Sequence, residues 1–531
     1  MKGTFRKDIQ IASIESEADW NQFKVCTLLQ NINQKQPSIN AYLGARYSRS
    51  SDSIVDIASD IIKNNTDAAQ RLEAIFHGYG HKSVGDMAQL FVCIENIPML
   101  SAMKIFYLNS VISGQERSTR YQNFEEPKYI KIPKEICNNQ EIRKEYENII
   151  LKQMDDYSVL LKKTKEIFKE YFNINEDIKE EKSALQARSF DCARYLLPYG
   201  VQTSMAAVMS ARNWSELISY LNASDSIVDR EVGKLIYNLL GDSDVDIDGY
   251  IREADGLVRH TEANYSRKNS TKEILESLRK KVSAQKQYIN KGSESDSCTV
   301  SYNDNAVEDL FTHYELLINP LGSESELEFD DEDSEYIGEV LFKNHNQHNL
   351  IGNLGQSGSI KIEGMSALCT LKDLNRHRSF ERFIPLLHDE IDIDNELNRD
   401  SKDCFFLCNY LDIPEMSELR KEYEKALIGT YNMIKRWRSD SLKVMSEECS
   451  QEFTRYLLPH AHATRYCFYA SIDDLQYTIS LRSARGGHIA YRALVYKWLE
   501  LLNSNDSMWY SLLKKIEMPD PASKVQFIDR S

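Results

Sequence analysis

"ARYLLPYGVQT" occupies residues 193–203, and "TRYLLPHAHAT" occupies residues 454–464. Six of the eleven positions are identical. The offset is 261 residues (454 − 193), about half of the 531-residue chain. Self-similarity at that distance implies a duplicated unit rather than one continuous fold. The flanks of the two copies agree. Before the first lies an amphipathic run over 141–173, with Tyr146, Ile149, Ile150, Tyr157, Leu160, Leu161, Ile167 and Phe168 at helical spacing. Before the second lies 414–438, with Leu419, Tyr423, Leu427, Tyr431, Ile434 and Trp437. Further upstream, "SAMKIFYLNS" (101–110) resembles "SALCTLKDLNRH" (366–377). Three blocks in one order predict two tandem domains.

The polar stretch "NKGSESDS" (290–297) reads as the linker, which places the domains at 1–290 and 300–531. The acidic run "SESELEFDDEDSEY" (323–336) reads as a solvated loop inside the second. "AQLFVCIENI" (88–97) and "QYTISLR" (476–482) read as strands or buried segments among helices. Each half is therefore expected to be α/β or α+β, a mixed sheet flanked by helices. No GxGxxG or GxxxxGK[ST] is present, so neither a Rossmann site nor a P-loop is supported.

Composition narrows the function. Hydrophobic residues make up 42% and the formal net charge is −16, which describes a globular chain and argues against a general nucleic-acid binder. The ten cysteines are scattered. Cys404 and Cys408 lack CxxC spacing, so they read as buried thiols rather than metal ligands. "MKGTFRKDIQIAS" has no apolar signal core, and "LFVCIENIPMLSAMKIFYL" is interrupted by Glu95, Asn96 and Lys104. A cytoplasmic protein with no membrane span is expected.

Against that acidic background, "LNRHRSFERF" (374–383) sets Arg376, His377 and Arg378 side by side. Three donor-rich side chains in a row point to an anion, most naturally a phosphorylated one. In the first half, "GQERSTRYQNF" (114–124) gathers Glu116, Ser118, Arg120 and Tyr121. A hydroxyl and a guanidinium two residues apart face one side of an extended segment and can grip one phosphate. "GYGHKSVGD" (78–86) adds His81 and Ser83 on a Gly-rich turn.

"GHKSVGD", then "SGQERSTRY", "ARYLLP" and "SARNWSEL", resembles the flavin-dependent thymidylate synthase family. The resemblance implies methylation of dUMP at C5 with methylenetetrahydrofolate, FAD and NADPH, and no cysteine nucleophile. It also implies active sites assembled from several subunits of a homotetramer. Carried over residue by residue, FAD falls to Arg376, His377, Arg378, His81, Ser83 and Arg212. The substrate falls to Glu116, Ser118, Arg120, Arg194 and Arg482. Arg482, in "SLRSARGGHIAYR", becomes the catalytic residue, set to stabilise negative charge on the uracil ring. Arg455 heads the second RYLLP segment, and His488 lies where related sequences often carry His.

The two halves depart from the family pattern in opposite ways. RHR is absent from the first half, falling on Leu108–Ser110, but stands at Arg376–Arg378 in the second. Ser-x-Arg is present at Ser118 and Arg120 but falls on Leu386 and His388 in the second half. The arginine of N-x-R stands at Arg212 and is lost at Asp473, whereas the late arginine survives only as Arg482. Each half keeps what the other lacks. The expectation is a composite site using both halves, in a homodimer that mimics the family's tetramer. Two alternatives stay open: a related C5-modifying enzyme, and a lapsed nucleotide-binding or scaffold homologue.

Overall fold

The computed structural model describes residues 2–6, 11–16, 20–28, 82–119, 128–241, 256–279, 297–302, 360–504 and 516–529, with short pieces between them. Two antiparallel sheets organise it. The first runs β1-β2-β3-β4-β6-β5 and the second β7-β8-β10-β9. Their strands are β1 (Lys2–Arg6), β2 (Ile11–Glu15), β3 (Lys24–Leu28), β4 (Gln89–Pro98), β5 (Ser113–Glu116), β6 (Gln202–Ser210), β7 (Thr299–Tyr302), β8 (Ile360–Ala367), β9 (Glu381–Phe383) and β10 (Ala463–Ala470). The order β3-β4-β6-β5 repeats as β7-β8-β10-β9, as duplication requires. Every described pairing is antiparallel, so the expected mixed sheets are not mixed in direction.

The helices repeat as well. The first set is α1 (Met99–Leu108), α2 (Gln140–Tyr171), α3 (Lys179–Ala193), α4 (Ala211–Asn222) and α5 (Ile227–Leu240). The second is α6 (Leu368–Leu374), α7 (Ser417–Ser441), α8 (Glu447–Leu457), α9 (Ile472–Arg482) and α10 (Ile489–Ser504), and a short α11 (Lys524–Ile528) follows. The junction from strand to helix is matched bond for bond. Met99 N donates to Val201 O at 3.0 Å and Leu100 N to Tyr199 O at 3.4 Å. Leu368 N donates to His462 O at 2.9 Å and Cys369 N to His460 O at 3.0 Å. The two carbonyls of each pair are 261 residues apart, the offset of the sequence repeat. The same Ser-capped start recurs too. Ser210 accepts from Asn213 N before α4, and Ser471 accepts from Asp474 N before α9.

Both long amphipathic runs are helices. In α7 all six expected residues are buried; in α2 Leu161 and Ile167 are half-exposed and the other six are buried. "QYTISLR" is a correction, since it lies within helix α9. Tyr477, Ile479 and Leu481 alternate like a strand, but Tyr477 and Leu481 are exposed. The buried face is Ile472, Leu475 and Ile479, at helical spacing. No helix among the described residues is long and apolar enough to cross a membrane.

The chain divides into two compact units that are not the contiguous halves expected from the repeat. The first comprises Met1–Ile150, Tyr199–Gln285 and Trp437–Leu457. The second comprises Leu151–Pro198, Lys286–Arg436 and Leu458–Ser531. The change at Gln285 falls close to the expected linker. Relative to the sequence repeat the division is an exchange: α3, from the first half of the sequence, belongs to the second unit, and α8, from the second half, belongs to the first. In the first unit Trp437 Nε1 donates to Ile142 O at 2.9 Å, and the Tyr146 ring lies 5.5 Å from Trp437 and 5.6 Å from Phe453.

Candidate nucleotide and cofactor site

Because of the exchange, Arg194 of the first RYLLP segment lies in the same unit as the RHR stretch and Arg482. Arg194 follows the end of α3 and is buried. Its Nη2 donates to Asp373 Oδ2 at 3.1 Å, while its buried Nε has no hydrogen-bond partner. Asp373 sits one residue before the end of α6. Burial pushes its carboxyl pKa upward, but the guanidiniums of Arg194, Arg376 and Arg482 overcome this and hold it well below the usual carboxylate range. Three arginines thus act on the one Asp373 carboxylate. Arg376 is exposed and Arg378 half-exposed, so both can reach a ligand.

His377 is buried and makes a different contribution from its two neighbours. Arg482 Nε donates to His377 Nε2 at 2.6 Å, and Arg482 Nη2 donates to the Asp373 carbonyl at 2.6 Å. The Arg482 guanidinium lies over the Tyr491 ring, 5.1 Å from its centroid. Burial, followed by the charges of Arg482 and Arg382, pushes the His377 pKa down to about 3. The ring is neutral at physiological pH and serves as an acceptor, not as a cation.

A stability prediction follows. His377 takes a proton near 6.5 in the unfolded chain but only near about 3 in the folded one. Between those values the unfolded state binds more protons, so stability falls as pH drops from about 6.5 toward about 3. Buried His460 and His462, also lowered by desolvation, carry the same sign. The urea midpoint of the wild type should fall across this window more steeply than that of His377→Gln. Parallel curves would refute the assignment.

The equivalent position in the first unit is closed. The sixth residue of α1 is Lys104, where α6 has Asp373. Buried Lys104 Nζ donates to Asp229 Oδ2 at 2.6 Å and to Ser224 Oγ at 3.1 Å. Glu452 lies 261 residues after Asp191. Its carboxylate accepts from Ser226 Oγ at 2.6 Å, Ile227 N at 2.9 Å, Val228 N at 3.2 Å and the Tyr456 hydroxyl at 3.1 Å. The start of α5 is thus satisfied from within the protein.

The remaining predicted residues are placed as follows. Arg212 pairs with Asp86 at 2.9 Å, bringing the "SARN" and "GHKSVGD" segments together in the first unit. Glu116 is buried at the end of β5, and Ser118, just beyond it, is half-exposed. His81, Arg120 and the side chain of Ser83 lie outside the described residues. Arg455 is buried at the end of α8 in the first unit. His488 is fully buried, with Nδ1 accepting from Ala490 N and Nε2 donating to Asp191 O, both at 3.1 Å. Its partners are structural. Sequence reasoning missed Asp373 and Thr478. Helical spacing from Arg482 was the one available signal for Thr478, and the misassigned strand removed it.

Comparison with known proteins finds a family resemblance over the first half of the chain. Residues 27–240 match the family model described as thymidylate synthase complementing protein. That match bears out the resemblance read from the motifs over the first half, and the chain is about two and a half times as long as the matched region. A UPF0159 protein of Chlamydia pneumoniae is 23% identical over 487 residues, covering 88% of this chain and 84% of its own. A UPF0159 protein of Chlamydia muridarum is 21% identical over 466 residues, covering 85% and 81%. Relatives thus align with nearly the whole duplicated length, not with one half.

Proposed function

We propose that the chain is an FAD-dependent thymidylate synthase that converts dUMP to dTMP with methylenetetrahydrofolate and NADPH. The observation that supports it best is the arginine cluster around Asp373, which unites motif arginines from both halves of the sequence. The residues suit a phosphorylated flavin: exposed and half-exposed guanidiniums at Arg376 and Arg378, and a buried Arg194 Nε without a partner. When bound, FAD supplies the hydride chemistry. The chain's own part is to bind and orient. Arg376 and Arg378 hold the cofactor phosphates, and Arg194, locked by Asp373, faces the nucleotide. Arg482 stabilises negative charge on the uracil oxygen and N3 as C5 becomes nucleophilic. Glu116, Ser118 and Arg120 keep the dUMP-phosphate role, and His81, Ser83 and Arg212 the FAD role, that the motifs imply. A homodimer and a cytoplasmic setting belong to the same reading.

Purified protein should be yellow, with FAD near one per chain, since the first unit's equivalent position is closed. It should form dTMP from dUMP when given both co-substrates. Arg376→Ala and Arg378→Ala should each weaken FAD roughly ten- to hundredfold, the loss of one charge-assisted contact. Flavin absorbance that survives dialysis in both variants would rule out the cofactor assignment. The closed first unit favours one alternative, a lapsed homologue that binds nucleotide without turnover. Flavin and dUMP binding with no dTMP formed would select it.

A further inference from the structure

We propose that Thr478 is a positioning residue that fixes the tautomer of His377 and thereby the direction in which Arg482 presents its charge. The role of Arg482 toward substrate rests on the function proposed above; the positioning itself rests on geometry alone.

An arginine N–H can only donate. The 2.6 Å contact from Arg482 Nε therefore requires an unprotonated His377 Nε2. A neutral imidazole has one N–H, so it must be on Nδ1. Nδ1 lies 3.1 Å from Thr478 Oγ1, which is fully buried and accepts it. Thr478 and Arg482 are four residues apart on α9, on one helical face, so His377 bridges successive turns. With Nε held by His377, Nη2 by the Asp373 carbonyl, and the guanidinium plane by Tyr491, Nη1 has no partner among the described residues. It is the donor left for a ligand. If the proton moved to Nε2, two donors would face each other and the guanidinium would have to turn away.

The test compares wild type, Thr478→Val and Thr478→Ser as intact chains. Valine keeps the shape and removes the acceptor; serine restores it. Nitrogen-15 NMR of the ligand-free protein, assigned with His377→Gln, should show the Nδ1–H tautomer and a slowly exchanging Arg482 Nε–H in wild type and Thr478→Ser. Both signatures should be lost in Thr478→Val. Turnover of dUMP should fall roughly ten- to hundredfold in Thr478→Val, the effect of misplacing a group by about an ångström, with dUMP affinity changing far less. Thr478→Ser should recover it. An unchanged tautomer in Thr478→Val, or a serine variant no better than valine, overturns the proposal. A wild type with the expected NMR signatures but no dTMP formation would instead defeat the proposed function and leave the positioning intact.

Discussion

Replacing Arg482 by alanine is expected to lower turnover by roughly 10²–10³-fold, the scale of losing one preorganised donor at a developing oxyanion. Nucleotide affinity should change by less than about tenfold, because the charge it meets grows only toward the transition state. Two features of the site support so large an effect. The guanidinium is held in place before substrate arrives, by His377, the Asp373 carbonyl and Tyr491. It also terminates α9, where the helix favours a cation, so the charge is stable there without a ligand. Lysine should rescue poorly, since an ammonium cannot span His377 Nε2 and the Asp373 carbonyl while keeping a third donor outward. Steady-state kinetics with dUMP, alongside equilibrium titration, separates the outcomes. Normal turnover would remove Arg482 from the mechanism, and equal losses in affinity and turnover would make it a ground-state ligand.

Cutting the chain between the halves should have a larger effect, on folding itself. A fragment of residues 1–290 lacks the end of α7 and all of α8, and with them Trp437, Phe453 and Glu452. These residues pack on Tyr146, bond the Ile142 carbonyl and cap α5 in the first unit. A fragment of residues 300–531 lacks α3, and with it Arg188. That buried guanidinium donates to the carbonyls of Gly487 and Arg485 at 2.6 Å, Asp529 at 3.2 Å and Phe527 at 3.3 Å, joining the loop after Arg482 to α11. Each fragment carries instead a helix that belongs to the other unit. Alone, neither should give a cooperative melt or resist protease, and mixing should restore both properties along with flavin binding. A protease-resistant, cooperatively melting 1–290 fragment would contradict the exchange.

What the sequence disclosed follows from what is local. The repeat predicted two like domains, and the two long amphipathic helices were legible because side-chain period is a property of consecutive residues. Arg376, His377, Arg378, Arg194 and Arg482 were legible because each stands in a motif. The roles within that set were not. Nothing in "NRHR" reveals that the histidine faces inward as a neutral acceptor while Arg376 stays exposed and Arg378 half-exposed; burial and the charges of Arg482 and Arg382 set the histidine's state. The exchange of α3 and α8 was equally hidden. The repeat marks where the two copies correspond but not which unit each helix joins; contacts to distant residues decide that. The charge reversal from Asp373 to Lys104 needed the structure as well, because only the strand–helix junctions fix that alignment.

The exchange also sets the order of events on the ribosome. The first unit runs to Gln285 and then waits for residues up to Leu457, a gap of 172 residues (457 − 285). At ordinary elongation rates of about 5–20 residues per second, that is a delay of roughly ten to thirty seconds. Throughout it, the nascent chain presents the apolar surface around Tyr146 that Trp437 and Phe453 will later cover. In the second unit the early segment Leu151–Pro198 waits longer still, until the residues that Arg188 bonds, as far as Asp529, are made. Synthesis, more than the finished fold, is therefore when this chain most needs a chaperone.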